Sequence, residues 1–275
     1  MSKTGYTRTM EEGTAMMSNF IETETKERVL WITINRPEVM NSLHPPCHEE
    51  LHEVWNNFRD DPDLWIAVLT GAGTKAFSAG NDLKWTAENQ GKLAAPPESG
   101  FGGLTNRFDL NKPVIAMVNG FALGGGFEMA LSCDLIIAAE SASFALPEPK
   151  VGLYAAAGGT QRLLRHVPLK MAMGMMLTGK RISATEAQNL GLVNEVAATE
   201  DLRATTERWV AEILACSPLS IRATKETAMG SLDRPLQESI NPGQYPSVRA
   251  LFSSEDMIEG PLAFAQKRAP AWKGR

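Results

Sequence analysis

The chain has 275 residues, of which 43% are hydrophobic and 21% are charged, and its formal net charge is −5. This composition is typical of a globular protein, and the length allows one sizeable core with a smaller lobe. Because proteins that bind nucleic acid present a basic face, the net negative charge argues against general binding of nucleic acid.

At the N-terminus, the first 20 residues are polar and have no apolar stretch of the kind that a signal peptide requires. We predict a disordered extension over residues 1–17. The segments 20–25 and 28–35 are strand-like and predict a β-hairpin, which Pro37 ends. Apolar residues at helical spacing then predict a helix over residues 47–58.

Two short apolar runs, residues 66–70 and 114–118, predict buried strands, and each leads into a loop that contains glycine. The first loop has the sequence AFSAGNDLK at residues 76–84. The second has the sequence NGFALGGGFE at residues 119–128. Between them, residues 90–103 are rich in glycine and proline and predict a long, mobile loop.

Beyond the second loop the pattern predicts a helix over residues 125–133 and a strand over residues 135–139. From residue 158 onward the pattern is helical. The predicted helices there cover residues 159–165, 169–178, 184–190, 201–215, 220–229 and 261–268. We therefore divide the chain into a core over residues 18–200 and a helical C-terminal region over residues 201–275.

The second loop places Glu128 just behind three glycines, at the predicted start of a helix. Helix N-termini have free backbone N–H groups, and glycine lets a ligand approach them closely. Such groups can hold a phosphate or the oxygen of an enolate. No Gly-Lys-Ser/Thr ends the run, and the glycine spacing differs from the dinucleotide fingerprint, so the pattern favours the enolate.

These loops, together with KPVIAMVNGFALGGGFEMALSCD, SFALPEPKVG and AGGTQRL, closely resemble the enoyl-CoA hydratase/isomerase (crotonase) superfamily. The resemblance runs from about Val29 to the C-terminus, in the family's order and spacing. It implies an α/β fold with a spiral core of stacked ββα turns and a helical C-terminal trimerisation region. Within the superfamily, residues 245–275 look most like carnitinyl-CoA (crotonobetainyl-CoA) dehydratases.

The resemblance implies an enzyme that adds water reversibly to a 2-enoyl-CoA thioester. The backbone N–H groups of Asn81 and Gly125 would bind the thioester oxygen, on which negative charge develops. Glu128 would chiefly activate the water, and Glu148 would protonate the α carbon. Because two close carboxylates cannot comfortably share a negative charge, we expect one to hold a proton near neutral pH. Two glutamates favour hydration or dehydration over hydrolysis, dehalogenation or decarboxylation.

By the same resemblance, coenzyme A is expected as part of the substrate, with no separate cofactor and no metal. The residues expected to bind coenzyme A are Met40, Ala76, Ala79, Lys84, Phe264 and Lys267. Phe264 and Lys267 match a C-terminal pair that can reach a neighbouring subunit's ligand. Two departures from the family pattern are Glu38, where many hydratases have a lysine, and the sequence LYAA at residues 153–156, which replaces an Ile-Pro-Gly stretch.

Three alternatives remain open at this stage. A carnitinyl-CoA dehydratase would need aromatic faces for a quaternary ammonium group, and Trp85, Phe101 and Phe108 lie in the right segment, although they suit an apolar acyl pocket slightly better. An enoyl-CoA isomerase would need only one base. A non-catalytic acyl-CoA-binding scaffold would need neither glutamate.

The expected partners are an acyl-CoA substrate and further copies of the chain, as a homotrimer or a dimer of trimers, with no nucleic acid and no membrane. The methionine cluster at residues 171–176 suits a helix interface or a plain core. No apolar run approaches the length of a membrane span. The three cysteines form no metal-binding or redox motif, so we expect them to be reduced, in a cytoplasmic protein.

Overall fold

The structure is a computed structural model that describes residues 20–90 and 96–275. The predicted extension over residues 1–17 and part of the predicted mobile loop lie outside these ranges. The division of the chain near residue 200 stays a prediction.

The larger of two sheets has six strands: β1 (Ile21–Lys26), β2 (Val29–Ile34), β3 (Ile66–Gly71), β5 (Val114–Val118), β7 (Leu135–Ala139) and β10 (Glu195–Ala197). They are hydrogen-bonded in the order β1-β2-β3-β5-β7-β10. β1 and β2 form the predicted antiparallel hairpin, and every other neighbouring pair in this sheet is parallel. β3 and β5 are buried at every residue, as parallel strands covered on both faces should be.

The second sheet has four short strands: β4 (Ala76–Ser78), β6 (Phe121–Leu123), β8 (Ser143–Ala145) and β9 (Ile182–Ser183). β4, β6 and β8 are parallel, with Ala122 opposite Phe144, and β9 is antiparallel to β8. Each of β3, β5 and β7 is therefore followed along the chain by a short strand of the second sheet. This repeat, with the helix that follows each short strand, is the ββα turn that the resemblance implies.

The α-helices of the described chain are α1 (Pro45–Asp60), α2 (Leu83–Glu88), α3 (Gly125–Ser132), α4 (Gly159–His166), α5 (Leu169–Thr178), α6 (Ala184–Asn189), α7 (Leu202–Leu214), α8 (Pro218–Ser231), α9 (Leu236–Ser239), α10 (Pro246–Phe252) and α11 (Glu255–Ala265). Single 3₁₀ turns occur at Pro37–Val39, Phe101–Gly103, Glu148–Val151, Thr199–Asp201 and Pro242–Gln244. None of these helices is both long and apolar enough to cross a bilayer.

The six-stranded sheet separates two apolar clusters. On one face, the side chains of α1 and α3 pack against the sheet and form the main core with Phe77 and Phe144. On the other face, Trp31, Val68 and Ile137 pack against Leu202 and Val210 of α7. Because both faces are covered, the sheet is a rigid base for the loops that follow its strands.

The prediction for the last helix was wrong at its start. We placed this helix at residues 261–268, with Pro261 in the first turn, whereas α11 begins at Glu255 and contains Pro261 in its interior. The side chain of Ser254 accepts a hydrogen bond from the N–H of Met257 and caps the helix. A serine cap therefore determines where this helix begins, and the proline only removes one later hydrogen bond.

The prediction of a loop over residues 90–103 was correct only in part. Residues 99–105 are buried and include a 3₁₀ turn. Trp55 of α1 donates from its ring N–H to the carbonyl of Gly102, at 3.0 Å, and the N–H of Gly102 donates to Nδ1 of His48, also at 3.0 Å. These contacts fix the segment on α1.

Candidate active site

The second glycine-rich loop connects β6 to α3. Gly124 has a φ of +54°, and a Cβ atom at this position would lie 2.9 Å from Oε1 of Glu148. Glycine is therefore required here both by the backbone and by the carboxyl group beside it. The N–H of Gly125 is the first of α3, and it donates to no other group in the described chain. It is available to a ligand.

The first loop connects β4 to α2 and touches the second. A Cβ atom at Gly80, whose φ is +85°, would lie 2.7 Å from the nitrogen of Gly125 and 2.8 Å from the carbonyl oxygen of Leu123. Asn81 follows, and its backbone N–H also lacks a partner among residues 20–90 and 96–275. Two free N–H groups on touching loops are the donors that an oxyanion requires.

The side chains beside Asn81 hold the first loop. The amide of Asn81 donates to the hydroxyl of Thr86, at 2.9 Å, so this side chain is already engaged within α2. Asp82 accepts from the N–H of Trp85 and forms a largely buried ion pair with Arg36, at 3.0 Å. The group of Asn81 that is left available to a ligand is therefore its backbone N–H, and its role as an oxyanion donor stays a prediction.

Glu128 lies one turn into α3 and is only 3% exposed. Its Oε1 accepts hydrogen bonds from the N–H groups of Ala157 and Gly159, each at 2.8 Å. Burial is the main cause that raises the pKa of Glu128 to about 7. The charge of Glu148 acts in the same direction, whereas the two N–H groups and the cationic Arg162 act against it.

Glu148 begins the 3₁₀ turn that follows β8. Burial also raises the pKa of this carboxyl above its ordinary value. Its Oε2 is buried and has no hydrogen-bond partner in the described residues. Because a buried polar atom without a partner is costly, this oxygen is placed to bind water or substrate. Two adjacent carboxyl groups with raised pKa values can hold one proton between them and supply both an acid and a base.

Three of the residues expected to bind coenzyme A lie together. The carbonyl of Met40, whose φ is +59°, accepts from the N–H of Ala79 at 2.9 Å, and the carbonyl of Ala76 accepts from the Asn41 amide at 2.7 Å. Beside them is an open groove of about 230 Å³. Its lining residues are Pro37, Met40, Asn41, Ala72, Gly73, Thr74, Lys75 and Ala76. Lys75 adds a positive charge that sequence analysis did not identify.

The other three expected residues are less closely connected to this site. Lys84 is exposed in the first turn of α2, just after Asn81. Phe264 is 88% exposed near the end of α11, and Lys267 follows that helix with a φ of +54°. No contact within the described chain joins Phe264 or Lys267 to the glutamates. Their role toward a neighbouring subunit stays a prediction.

The N–H groups that donate to Glu128 were not predicted from the sequence. The hydrogen bonds to the carboxyl group come from Ala157 and Gly159, which follow directly after the LYAA sequence at residues 153–156. A Cβ atom at Gly159 would lie 2.9 Å from Cγ of Glu128, so only glycine fits there. Both donors lie in the AGGTQRL segment at residues 157–163. This segment contributed to the family resemblance, but we assigned no contact to its glycines.

Of the three aromatic residues considered for an ammonium group, Phe101 lies against Gly125, one of the expected oxyanion donors. A Cβ atom at Gly125 would lie 2.5 Å from the Phe101 ring, so this ring covers the helix start. Trp85 is half-buried, and Phe108 is 86% exposed. In the described part of the chain, no cluster of histidine, cysteine and carboxylate side chains is suited to a metal ion.

Comparison with known proteins identifies relatives that match almost the whole chain. The protein named carnitinyl-CoA dehydratase from Escherichia coli O157:H7 is 45% identical over 265 residues, which cover 94% of this chain and 100% of that protein. The protein of the same name from Salmonella typhi is 44% identical over 265 residues, with the same coverage of both chains.

Solved structures show the same fold. An enoyl-CoA hydratase from Mycobacterium marinum superposes with a TM-score of 0.86 at 38% identity, and a carnitinyl-CoA hydratase from Mycobacterium avium with 0.73 at 39%. Each comparison covers 94% of this chain and 100% of the other. A family model described as enoyl-CoA hydratase/isomerase matches residues 24–275. The resemblance is thus confirmed: the chain belongs to the enoyl-CoA hydratase/isomerase (crotonase) family, and it is a hydratase or dehydratase of that family.

Proposed function

We propose that the chain catalyses the reversible addition of water to a 2-enoyl-CoA thioester by means of Glu128, Glu148 and a backbone oxyanion hole. The observation that carries the proposal is the position of a buried carboxyl group, Glu128, and a half-buried one, Glu148, beside the Gly124–Gly125 turn, where a backbone N–H is free. Glu148 contacts Gly124 directly, and the N–H of Glu128 donates to the Gly124 carbonyl at 3.0 Å.

In the hydration direction, the thioester oxygen accepts hydrogen bonds from the N–H groups of Asn81 and Gly125. Each such donor typically stabilises the transition state by about 3 kcal/mol. Ionised Glu128 removes a proton from the water that attacks the β carbon. Protonated Glu148 then gives its proton to the α carbon of the enolate. Glu128 has gained one proton and Glu148 has lost one, so proton transfer between them, through solvent, restores the starting state.

A second candidate is a narrower version of the same chemistry, the interconversion of carnitinyl-CoA and crotonobetainyl-CoA. Its support is the name of the relatives that are 44–45% identical over nearly the whole chain. A quaternary ammonium group binds best on aromatic faces, and the ring of Phe101 lies beside the expected oxyanion donors. The same ring would also line an apolar acyl pocket.

Turnover of a substrate panel tests both candidates. Hydration removes the conjugated double bond, so the ultraviolet absorbance of crotonyl-CoA should fall when the protein is added and stay unchanged with Glu148→Gln. Glu140→Gln is a matched control because Glu140 is exposed at the end of β7. A crotonobetainyl-CoA rate far above the crotonyl-CoA rate supports the second candidate. Flat traces with short, long, branched and betainyl enoyl-CoAs would contradict the proposal and support a scaffold.

We also propose that the chain assembles as a trimer or a dimer of trimers in the cytoplasm. The support for assembly is a set of exposed apolar side chains in the C-terminal helices and the connection after α9: Leu236, Ile240, Phe252, Ile258 and Phe264. Burial of these side chains against a second subunit would remove their apolar surface from water. The support for the compartment is that Cys47, Cys133 and Cys216 are all free thiols.

A further inference from the structure

Arg162 lies in the first turn of α4, directly after the loop that binds Glu128. Its Nη1 donates to the carbonyl of Ala157 at 3.3 Å, and its backbone N–H donates to the carbonyl of Gly158 at 2.9 Å. The same short loop donates the N–H groups of Ala157 and Gly159 to Oε1 of Glu128. The loop is therefore held on one side by Arg162 and holds the carboxyl group on the other.

The guanidinium also reaches the segment that contains Phe101 and Thr105. Its Nη2 donates to the carbonyl of Thr105 at 2.6 Å. Thr105 in turn accepts, through its hydroxyl, the N–H of Phe101 at 2.9 Å, and the ring of Phe101 covers Gly125. The side chain of Arg162 thus connects the segment that covers Gly125 with the loop that binds Glu128.

Space around the guanidinium is closely limited. Gly158 has a φ of +92°, and a Cβ atom there would collide with Nη1 of Arg162. Glycine at this position therefore lets the guanidinium lie directly on the loop backbone. In the described chain, Arg162 donates to backbone carbonyls and forms no ion pair with a carboxylate. Its positive charge is left to act on the nearby Glu128.

We propose that Arg162 is a positioning residue of the hydration reaction: it fixes the loop at residues 157–159, so that the N–H groups of Ala157 and Gly159 stay on the carboxyl group of Glu128. This inference rests on the proposed function for its kinetic meaning. Replacement of Arg162 by lysine would keep the positive charge. A single ammonium group, however, cannot donate to both the Thr105 and the Ala157 carbonyls as a planar guanidinium does.

The other charged and titratable groups around this pair are few. Glu148 acts on Glu128 from the 3₁₀ turn, and Cys133 at the end of α3 faces Arg162. On α4 itself, Arg165 and His166 interact electrostatically with Arg162. Burial raises the pKa of Cys133 far above neutral, so the thiol stays uncharged. Among the charged groups that act on Glu128, Glu148 disfavours its ionised form and Arg162 favours it.

The test combines Arg162→Met, Arg162→Lys and the control Arg165→Met, a neighbouring arginine that is exposed on α4. We expect Arg162→Met to lower kcat/KM for enoyl-CoA hydration by up to about 100-fold through misplacement of the base. The rising limb of its pH profile should move to higher pH. Arg162→Lys should lower kcat but leave the rising limb of the pH profile near its wild-type position. Arg165→Met should change neither kcat nor the pH profile.

A readout without turnover separates this inference from the proposed function. In protein labelled with ¹³C at the glutamate carboxyl carbons, the Glu128 resonance, assigned with Glu128→Gln, should titrate at higher pH in Arg162→Met than in the wild type. If Arg162→Met does not fold, Gly158→Ala, which displaces the guanidinium, and Arg162→Lys provide the comparison. Unchanged titration of Glu128 and an unchanged pH profile in folded Arg162→Met, or in Gly158→Ala where Arg162→Met does not fold, would overturn the inference. A shifted titration in a protein that hydrates no enoyl-CoA would overturn the proposed function alone.

Discussion

At the scale of single residues, Glu128 combines two opposing effects on one carboxyl group. Burial disfavours its charge, whereas two N–H donors and Arg162 favour it, and the balance leaves its pKa at about 7. A general base is most efficient when its pKa lies near the working pH. Glu148 has fewer such contacts, since one of its oxygens has no partner in the described chain. The two glutamates therefore differ in environment although they are chemically identical.

Replacing either glutamate should remove most of the activity while the fold is kept. Glu148→Gln cannot supply the α proton, and loss of general acid–base catalysis typically lowers the rate by about 10²–10⁴-fold. Glu128→Gln should have an effect of similar size. Because both act on one water, the double variant should lose far less than the product of the two effects. Steady-state kinetics with crotonyl-CoA measures this, and near-normal turnover by Glu148→Gln would contradict its role.

Ionisation of Glu128 should also make the folded state less stable as the pH rises. The pKa of Glu128 is about 7 in the folded chain, above its ordinary value of 4.5. The unfolded chain therefore releases this proton at lower pH, and stability is lost as the pH rises from about 4.5 through 7. The loss amounts to about 3 kcal/mol.

Glu128→Gln removes this ionisation. Between pH 4.5 and pH 8, the free energy of unfolding of the variant should therefore increase relative to the wild type by about 3 kcal/mol. Urea denaturation at the two pH values measures the difference, with Glu140→Gln as the control. If the free energy of unfolding depended on pH in the same way in the wild type and both variants, burial would not raise the pKa of Glu128.

At the scale of elements, the parts that sequence analysis predicted well are those with a long, regular apolar pattern. β5, β7 and α5 have the predicted bounds, and α3 ends one residue early. β4, β6, β8 and β9 were missed as individual strands because two or three residues carry no usable period. Likewise, the bonds from Ala157 and Gly159 to Glu128 cross about 30 positions in the sequence and leave no local signal.

Contact between the two glycine-containing loops should be necessary for activity. In Gly80→Ala the new methyl group would lie 2.7 Å from the nitrogen of Gly125, and alanine is strained at a φ of +85°. We expect a loss of about 1–3 kcal/mol in stability and a larger relative loss of kcat, because the expected oxyanion donors move apart.

Gly174→Ala is the matched control for this change. Gly174 lies within α5, where no atom approaches an added Cβ within 4 Å, so the variant should be neutral or slightly stabilised. Thermal denaturation and kinetics on both variants make the comparison. A fully active Gly80→Ala would exclude the loop contact from catalysis.

At the scale of the whole molecule, hydrogen bonds from the C-terminal tail and from the start of α8 fix the position of α11. Asp256 is buried and accepts from the hydroxyl of Ser217 and from the N–H groups of Lys273 and Gly274. Trp272 donates to the carbonyl of Ala215 at 2.8 Å. With this side of α11 fixed, Ile258 and Phe264 remain exposed. The chain therefore presents an apolar helix face in a defined position, as an assembly interface requires.

Assembly should be visible as a mass of about 90 kDa for a trimer, or twice that for a pair of trimers, from a chain of 29.9 kDa. Light scattering measures it. Ile258→Asp should reduce the mass, because it places a charge in an apolar interface. If α11 completes a neighbour's site, Lys267→Ala should raise KM for acyl-CoA at unchanged mass, while Lys26→Ala, on the exposed edge strand β1, should not. A fully active monomer near 30 kDa would contradict a shared site and leave Phe264 and Lys267 without a role in binding.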